Sequence, residues 1–449
     1  MERVVVVGGG FGGLAAARAL DGAPVSVTLV DQRNFHTFLP LLYQVATAGL
    51  NPADVAHPIR AIFRRQRNVT VRQGTARSVD WDERRLEVVL ASGEVRWLPF
   101  DHLVVAAGSR TNFFGVEGAE EWAFPLYSLD DATALRNHLL GRFEAADADP
   151  DLVEDGALTV VVTGAGPTGV ELAGALSELF HGVLRRDFPS LPVSRSRIVL
   201  VEMADDVLPP FGAASRAHAH EALRHRGVEL MLGESVVRVD ERSVTFASGR
   251  VLATHTLVWA AGVRAGAFAE ALGVPLGKGG RIEVDEHLRV VAQRDVYAVG
   301  DIASIPAPDG GGLPQLAPVA IQSGAHAAAE IRHRLGLGDD PGPFRFVDKG
   351  TMATIGRRSA VAELPFGIRL WGTIAWLAWL VLHLMTLVGF RNRLSVLLNW
   401  AWSYLTWDRG ARLILGASRR RGAQPVDGST EAGDGLDEPG FVGGGEGEP

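Results

Sequence analysis

Two stretches of the chain share one hydrophobic rhythm. Residues 3–7 form a short β-branched run, 8–13 a glycine-rich break, 14–20 a segment of good helix formers, and 25–30 a second apolar run. The pattern returns at residues 159–162, 164–169, 170–179 and 198–201. Short apolar runs that alternate with helix-period segments predict parallel sheets with crossover helices, and so an α/β fold with two Rossmann-like units. Each repeat is followed by a β-rich stretch. Residues 69–107 close on the apolar run 103–107, and residues 227–263 close on 256–261. Residues 147–157 read as an acidic hinge loop, 181–197 as an inserted loop, and 305–314 as a Pro/Gly loop.

The rhythm changes near the C-terminus. Residues 370–390 are apolar apart from Thr373, His383 and Thr386, a run of 21 that is long enough to span a bilayer. Residues 391–407 mix Arg391, Asn392, Arg393 and Asn399 with leucines and aromatics. Six of the ten Trp lie between 371 and 407, and Trp favours the membrane–water interface. His383 would be costly at the bilayer centre, so the expectation is a helical, interfacial membrane-anchoring segment, with a hydrophobic dimer interface as the plainer alternative. Residues 422–449 are rich in Gly, Pro and acids and are expected to be disordered. Nothing at the N-terminus resembles a signal peptide, since the first strand begins by Arg3.

Charge adds one point. Residues 422–449 hold seven acids and no Lys or Arg, so the formal charge of −8 falls to about −1 for the rest. Residues 367–421 hold eight Arg and one acid, Asp408, beside the most apolar part of the chain. That placement suits an anionic lipid bilayer surface. Few polar base-reading groups accompany it, which argues against nucleic acid. The chain has no cysteine, which excludes disulfides, thiolate metal sites and any dithiol relay.

The candidate chemistry sits in the two breaks. Gly8, Gly10 and Gly13 form G-x-G-x-x-G between a strand and a helix, and Asp31 ends the next strand 21 residues after Gly10. The glycines allow a tight turn, a close approach to a pyrophosphate at the helix N-terminus, and close helix–strand packing. A carboxylate at Asp31 suits ribose hydroxyls. Gly164, Gly166 and Gly169 form the second copy, with Glu202 36 residues past Gly166 as the matching acid. An acid there favours NADH over NADPH. One unit can hold FAD and the other a nicotinamide, so that hydride can pass between them. Two small-residue motifs end strands where backbone would cross a dinucleotide: VVAAGSR at 104–110, with Ala107 and Gly108, and VWAAGVR at 258–264, with Gly262. VYAVGDIA at 296–303 ends in Gly300 and Asp301, the latter placed to bond a flavin ribityl chain or to cap a short helix.

These residues resemble the pyridine-nucleotide–disulfide oxidoreductase superfamily, and within it the type II NADH dehydrogenases. The resemblance rests on NFHTFLPLLYQVATAGL at 34–50, GAGPTGVELAGAL at 164–176, PQLAPVAIQSG at 314–324 and DKGTMATIGRRSAVAE at 348–363, and covers about residues 3–415. It implies a FAD-binding domain in two parts, 1–115 and 285–345, an NADH-binding domain at 116–284, and a membrane-associating domain at 346–421. It implies NADH as donor, a membrane quinone as acceptor, attachment to the cytoplasmic face of the cell membrane, and a homodimer. Leu41, Tyr43 and Gln44 would lie against the isoalloxazine. Glu171, near the nicotinamide, and Gln322 and Lys349, near the flavin and quinone, would be the catalytic residues.

One position departs from the family. Where its members often show A-Q-x-A-x-Q, this chain reads Ala317-Pro318-Val319-Ala320-Ile321-Gln322, so a side-chain amide is replaced by proline. Plainer readings stand beside the functional ones: Glu171 as a solvated first-turn acid, Gln322 as a helix cap, and His36 and His57 as packed polar groups. His218, His220 and His225 form no metal pattern. Two rival functions remain open at this point, a reductase of a small redox protein and a redox-sensing membrane flavoprotein without turnover.

Overall fold

The computed structural model describes residues 1–308, 310–406 and 409–415. Trp407 and the acidic stretch 422–449, expected to be disordered, lie outside the described residues. The valine run that opens each repeat is a central strand. Glu2–Val7 lies parallel between Val25–Asp31 and His102–Val105, and Val4 to Val7 are buried. Strands apolar on both faces can be covered only by helices on both sides, which is the setting of a parallel sheet. The full sheet has seven strands in the order Val296–Ala298, His102–Val105, Glu2–Val7, Val25–Asp31, Val69–Asp80, Arg85–Leu90 and Val95–Pro99, the last two antiparallel. Val296–Ala298 returns from far along the chain, so two separate stretches build this sheet.

The second sheet repeats the arrangement. Its five parallel strands run Phe124–Pro125, Thr256–Trp259, Thr159–Thr163, Arg197–Glu202 and Val228–Leu232. In both sheets the strand entering the glycine-rich turn lies between the strand that ends in an acid and the strand that ends in small residues. One two-stranded antiparallel ribbon, Ser109–Thr111 with Val263–Ala265, forms where the two connecting segments cross.

Seven helices position the site: α1 Phe11–Ala19, α2 Leu42–Ala46, α3 Leu129–Ala148, α4 Pro167–Ser177, α5 Ala317–Arg334, α6 Gly372–Thr386 and α7 Phe390–Thr406. Helices α1 and α5 cross at Gly12 and Gly324, where a Cβ on Gly324 would overlap the Gly12 backbone. Pro318 occupies the first turn of α5, where a missing N–H costs nothing. Two expected loops are helical in part. Residues 147–157 hold the end of α3 and a 3₁₀ turn, Pro150–Val153. In 181–197, α4 continues as a π-helix, Glu178–Leu184, because Leu179, Phe180, Val183 and Leu184 go on burying apolar surface. Phe180 meets Phe143 of α3 at 4.8 Å between ring centroids.

The C-terminal part also differs from expectation. A three-stranded antiparallel sheet, Thr351–Gly356, Ser359–Glu363 and Arg369–Trp371, leads into α6 and α7. The 21-residue apolar run is therefore not one helix. Trp371 belongs to a strand, α6 has 15 residues, and the chain turns at Gly389, against the ring of His57. Fifteen residues rise only ~22 Å, and no helix among the described residues is long and apolar enough to cross a membrane. Trp376, Trp379 and Trp400 lie in the protein interior, while Trp371 and Trp402 are exposed. Helix α7 is packed inside out. Its Asn392 donates to the Asp54 and Ala56 carbonyls and its Ser395 and Asn399 to the Asp54 carboxylate, on the Pro52–Val55 helix and the residue after it, while Leu394, Leu397 and Leu398 face outward.

Among the described residues His287, His326 and Glu330 bring ligand-type atoms within 4.8 Å of one another. Arg289 Nη2 takes Glu330 Oε2 at 2.6 Å and His287 Nδ1 meets Oε1 at 2.8 Å, so the group is an ion-paired tie on α5. The α1–α5 crossing yields a prediction. Gly324→Ala forces the two helices apart and costs about 1–3 kcal/mol of stability, read from the shift in a urea unfolding midpoint.

Candidate active site at the two glycine-rich turns

Both turns are built from the same main-chain contacts. The Gly8 N–H donates to Val30 O and the Gly164 N–H to Val201 O, each at 2.8 Å. Gly8 and Gly164 hold φ of 104° and 96°, a region other residues reach only at a cost. Each is also pressed against the small-residue strand end. A Cβ on Gly8 would meet Ala106 and Ala107, and one on Gly164 would meet Ala260 and Ala261. Gly13 and Gly169 pack on the carbonyls of Gly8 and Gly164 with no room for a side chain. The small residues at 104–108 and 258–262 thus make the turns possible. Gly10 and Gly166, the N-caps of α1 and α4, differ: nothing lies within 4 Å of a Cβ built on either. That open side, over amides pointing outward from a helix N-terminus, fits a dinucleotide pyrophosphate.

The two acids have a role that their spacing did not reveal. Asp31 Oδ2 accepts from the Gly9 N–H at 2.6 Å and Oδ1 from the Arg33 N–H at 2.7 Å. Glu202 Oε2 accepts from Ala165 at 2.6 Å and Oε1 from Ala204 at 3.0 Å. Each acid braces the residue after the first glycine of its turn, and lone pairs remain for ribose hydroxyls. Burial pushes the Asp31 carboxyl up, against the pull of the Gly9 and Arg33 amides. His36 Nδ1 lies 3.0 Å from Gly9 O, and burial lowers this imidazole to about 4, so it packs as a neutral group.

The remaining candidates fall in three places. Asp301 Oδ2 accepts from Ser109 Oγ at 3.0 Å and Tyr127 Oη at 2.9 Å, and the Gly300 N–H donates to Ser323 Oγ at 3.0 Å. Asp301 is therefore held beside the crossing ribbon and caps no helix. Gly108 has open space where a side chain would point, and Gly262 faces the ring of Phe114. Leu41, Tyr43 and Gln44 are buried around α2, with Gln44 Nε2 donating to Tyr43 Oη at 3.0 Å. Gln322 is tied elsewhere: its side chain exchanges two hydrogen bonds with the Val347 backbone, at 3.0 and 2.9 Å. Lys349 is exposed.

Glu171 is the most altered group. It lies in the second turn of α4 and is only 9% exposed, far from the solvated acid that its helix position alone suggests. Its Oε1 accepts from the Thr354 N–H and from Trp379 Nε1, both at 3.2 Å. Burial pushes the carboxyl up to about 8, so it is mostly protonated at neutral pH. It borders a cleft with Tyr43, Gln44, Trp379, Trp400 and Tyr404. Glu178 and Arg409 close one wall, Arg409 Nη2 meeting Glu178 Oε2 at 3.1 Å while Nη1 donates to Thr47 O at 2.8 Å.

The chain matches known protein families. The family described as pyridine nucleotide-disulphide oxidoreductase matches residues 2–324, and the NDH2 C-terminal domain matches residues 349–407. The type II NADH:quinone oxidoreductase NdhA of Mycobacterium tuberculosis is 39% identical over 92% of this chain and 89% of its own length. The chain belongs to the type II NADH:quinone oxidoreductase family. A second member from the same organism, Ndh, is 38% identical over 92% of this chain and 90% of its own. The structure of NDH2 from Plasmodium falciparum in complex with NADH has the same fold, with a TM-score of 0.84 at 19% identity, covering 92% of this chain and all of that one.

FAD and NADH are the cofactors of this family. Sequence reasoning missed Trp379, Trp400 and Thr354 at the site, because an indole in an apolar run gives no sign of which oxygen it will meet. It also missed Tyr127 and Ser109, although Ser109 lies inside the VVAAGSR motif, directly after Gly108. The brace on the first turn generates a prediction. Asp31→Ala leaves the Gly9 and Arg33 N–H groups without their acceptor and weakens flavin retention about tenfold, measured as flavin released on dilution.

Proposed function

We propose that the chain oxidises NADH with FAD bound at Gly8–Gly13 and passes the two electrons to a quinone, without pumping protons. Residues 1–115 and 285–345 hold FAD, and residues 116–284 hold NADH. When bound, FAD accepts hydride from NADH and returns electrons to the acceptor. The chain's own residues bind, orient and exclude water. The Gly10 and Gly166 turns take the two pyrophosphates, and Asp31 and Glu202 take ribose hydroxyls. A carboxylate at Glu202 also repels a 2′-phosphate, which favours NADH. Asp301, backed by Ser109 and Tyr127, faces the ribityl chain.

The observation that carries this reading is the buried carboxyl of Glu171, bordering one cleft with Tyr43 and Gln44. Quinone reduction consumes protons as well as electrons, and an acid raised to about 8 holds one at neutral pH without a buried charge. Gln322 and Lys349 are assigned less direct parts, at the edge of the flavin and quinone region. With its amide held by Val347, Gln322 orients that edge.

We place the protein at the cytoplasmic face of the membrane through the outer side of α6 and α7. Ile374, Leu377, Val381, Leu397 and Leu398 are exposed there, and an apolar face of that extent is stable in contact with lipid. Removing residues 365–421, an obvious truncation, would strip Trp379 and Trp400 from the interior, so the face itself is the better target.

Two outcomes test this reading. In stopped flow, NADH bleaches the flavin and a short-chain quinone restores its colour. Glu171→Gln slows the quinone half-reaction about 100-fold and flavin reduction much less. No bleaching by NADH would end the proposal, and bleaching without quinone turnover would remove the acceptor. For the membrane, Leu377→Glu with Leu398→Glu, at positions 51% and 59% exposed, abolishes co-sedimentation with anionic vesicles. Undiminished sedimentation would show that this face is not the docking surface.

A further inference from the structure

Each of the two polar groups at the head of the cleft is held by an indole from the C-terminal hairpin. Trp379 of α6, 1% exposed, donates to Glu171 Oε1 at 3.2 Å, and Trp400 of α7, 5% exposed, donates to Gln44 Oε1 at 2.8 Å. An indole N–H can only donate, so its partner atom must be an acceptor. The consequence differs at the two ends. Glu171 Oε1 receives two donors, Trp379 and the Thr354 amide, so the carboxyl proton is confined to Oε2. Gln44 must turn its carbonyl oxygen to Trp400, which turns its NH₂ to Tyr43 Oη at 3.0 Å. The phenol oxygen then accepts from Gln44, and its own hydrogen is free to donate elsewhere. Glu171, Tyr43, Gln44 and both indoles border the same cleft.

We propose that Trp379 and Trp400 are positioning residues that fix the hydrogen-bond polarity of the cleft, so that Glu171 Oε2 and Tyr43 Oη both present O–H donors to the electron acceptor. This deepens the quinone reading and rests on it, since a quinone offers two carbonyl oxygens that accept such donors and gain negative charge as electrons arrive. The hairpin that carries the lipid-facing leucines therefore also sets the proton chemistry inside.

Other charged or titratable groups face the cleft from every element around it. Glu178 of the π-helix is engaged by the Arg357 amide and by Arg409. Arg357 stands over the Tyr404 ring at 5.0 Å, and its Nη2 donates to Ser403 O at 2.6 Å. His383 stacks on Trp379 at 4.0 Å and is lowered by burial to about 4, so it stays neutral through the working range. Burial keeps Tyr43 and Tyr404 protonated. Glu171 is the group in this set whose midpoint falls near neutrality, and the Trp379 bond favours its ionised form.

The test uses the full-length, flavin-loaded enzyme. Difference infrared spectra titrate the Glu171 carboxyl C=O band, identified by its loss in Glu171→Gln. In Trp379→Phe the midpoint moves up by about one pH unit, because a donor to the anion is lost. The alkaline limb of quinone kcat moves with it, and in a Glu171→Gln background Trp379→Phe produces no such movement. Trp400→Phe lowers quinone kcat/KM about tenfold when Tyr43 is present and by less than twofold in Tyr43→Phe. A measurement without substitution at either indole guards against misfolding. With ¹⁵N-tryptophan label, the Trp379 indole resonance follows the Glu171 midpoint in the parent enzyme and is flat in Glu171→Gln. An unmoved infrared midpoint in Trp379→Phe, a pH-independent indole resonance in the parent, or equal costs of Trp400→Phe in both backgrounds would overturn the proposal. If Glu171→Gln itself leaves the quinone half-reaction unchanged, the functional reading of Glu171 fails first.

Discussion

The structure depends on a steric constraint imposed twice. At each glycine-rich turn the first glycine is squeezed between the third glycine and the end of a neighbouring strand, with no space for a side chain at either glycine. That crowding brings a helix N-terminus, an acid and a small-residue strand end to one point. It also explains why the strand-end motifs read Ala-Ala-Gly in both halves. Those alanines are the surface on which Gly8 and Gly164 are seated. Each acid then finishes the turn by accepting from the amide that follows. Two such points in one chain leave two open helix N-termini, and the rest of the site is arranged around them.

This part of the protein was legible in the sequence because it is encoded locally. Glycine spacing, a valine strand before and an acid-ended strand after are all within a few dozen residues, and the physics that demands them is backbone sterics. Residues 147–157 and 181–197 were less legible. Their Pro, Ser and charged residues resemble loop composition, yet Phe180, Val183 and Leu184 find partners on α3 and its neighbours that no local window contains. The π-helix there is a tertiary outcome. The candidates Gln322 and Lys349 carry a similar lesson. Their motif positions fit the family, but the Gln322 amide is committed to the Val347 backbone and the Lys349 side chain is exposed.

The C-terminal segment was the least legible, for a specific reason. Hydropathy counts apolar side chains without asking which face they occupy. Residues 370–390 score as one membrane-length run, but a strand end, a 15-residue helix and a turn divide it. Trp379 looked like an interfacial anchor and is instead the largest wholly buried side chain among the described residues, reaching Glu171. In α7 the usual sense of amphipathicity is reversed. Its amide and hydroxyl side chains are satisfied inside the protein by Asp54 and the carbonyls around it, and its leucines are left outside.

That reversal ties the two ends of the function together. A helix that spends its polar groups on the body and its leucines on the surroundings is held in one rotational setting, since turning it would bury leucines against Asp54 and strand Asn392 and Asn399. The same setting aims Trp400 at Gln44. The neighbouring helix α6 has Leu377 and Val381 outside and Trp376 and Trp379 inside, and is fixed by the same logic. An apolar outer face and the Trp379 bond to Glu171 are therefore two consequences of one packing solution. Both indoles then meet their acceptors as neutral donors, one of them at the buried acid.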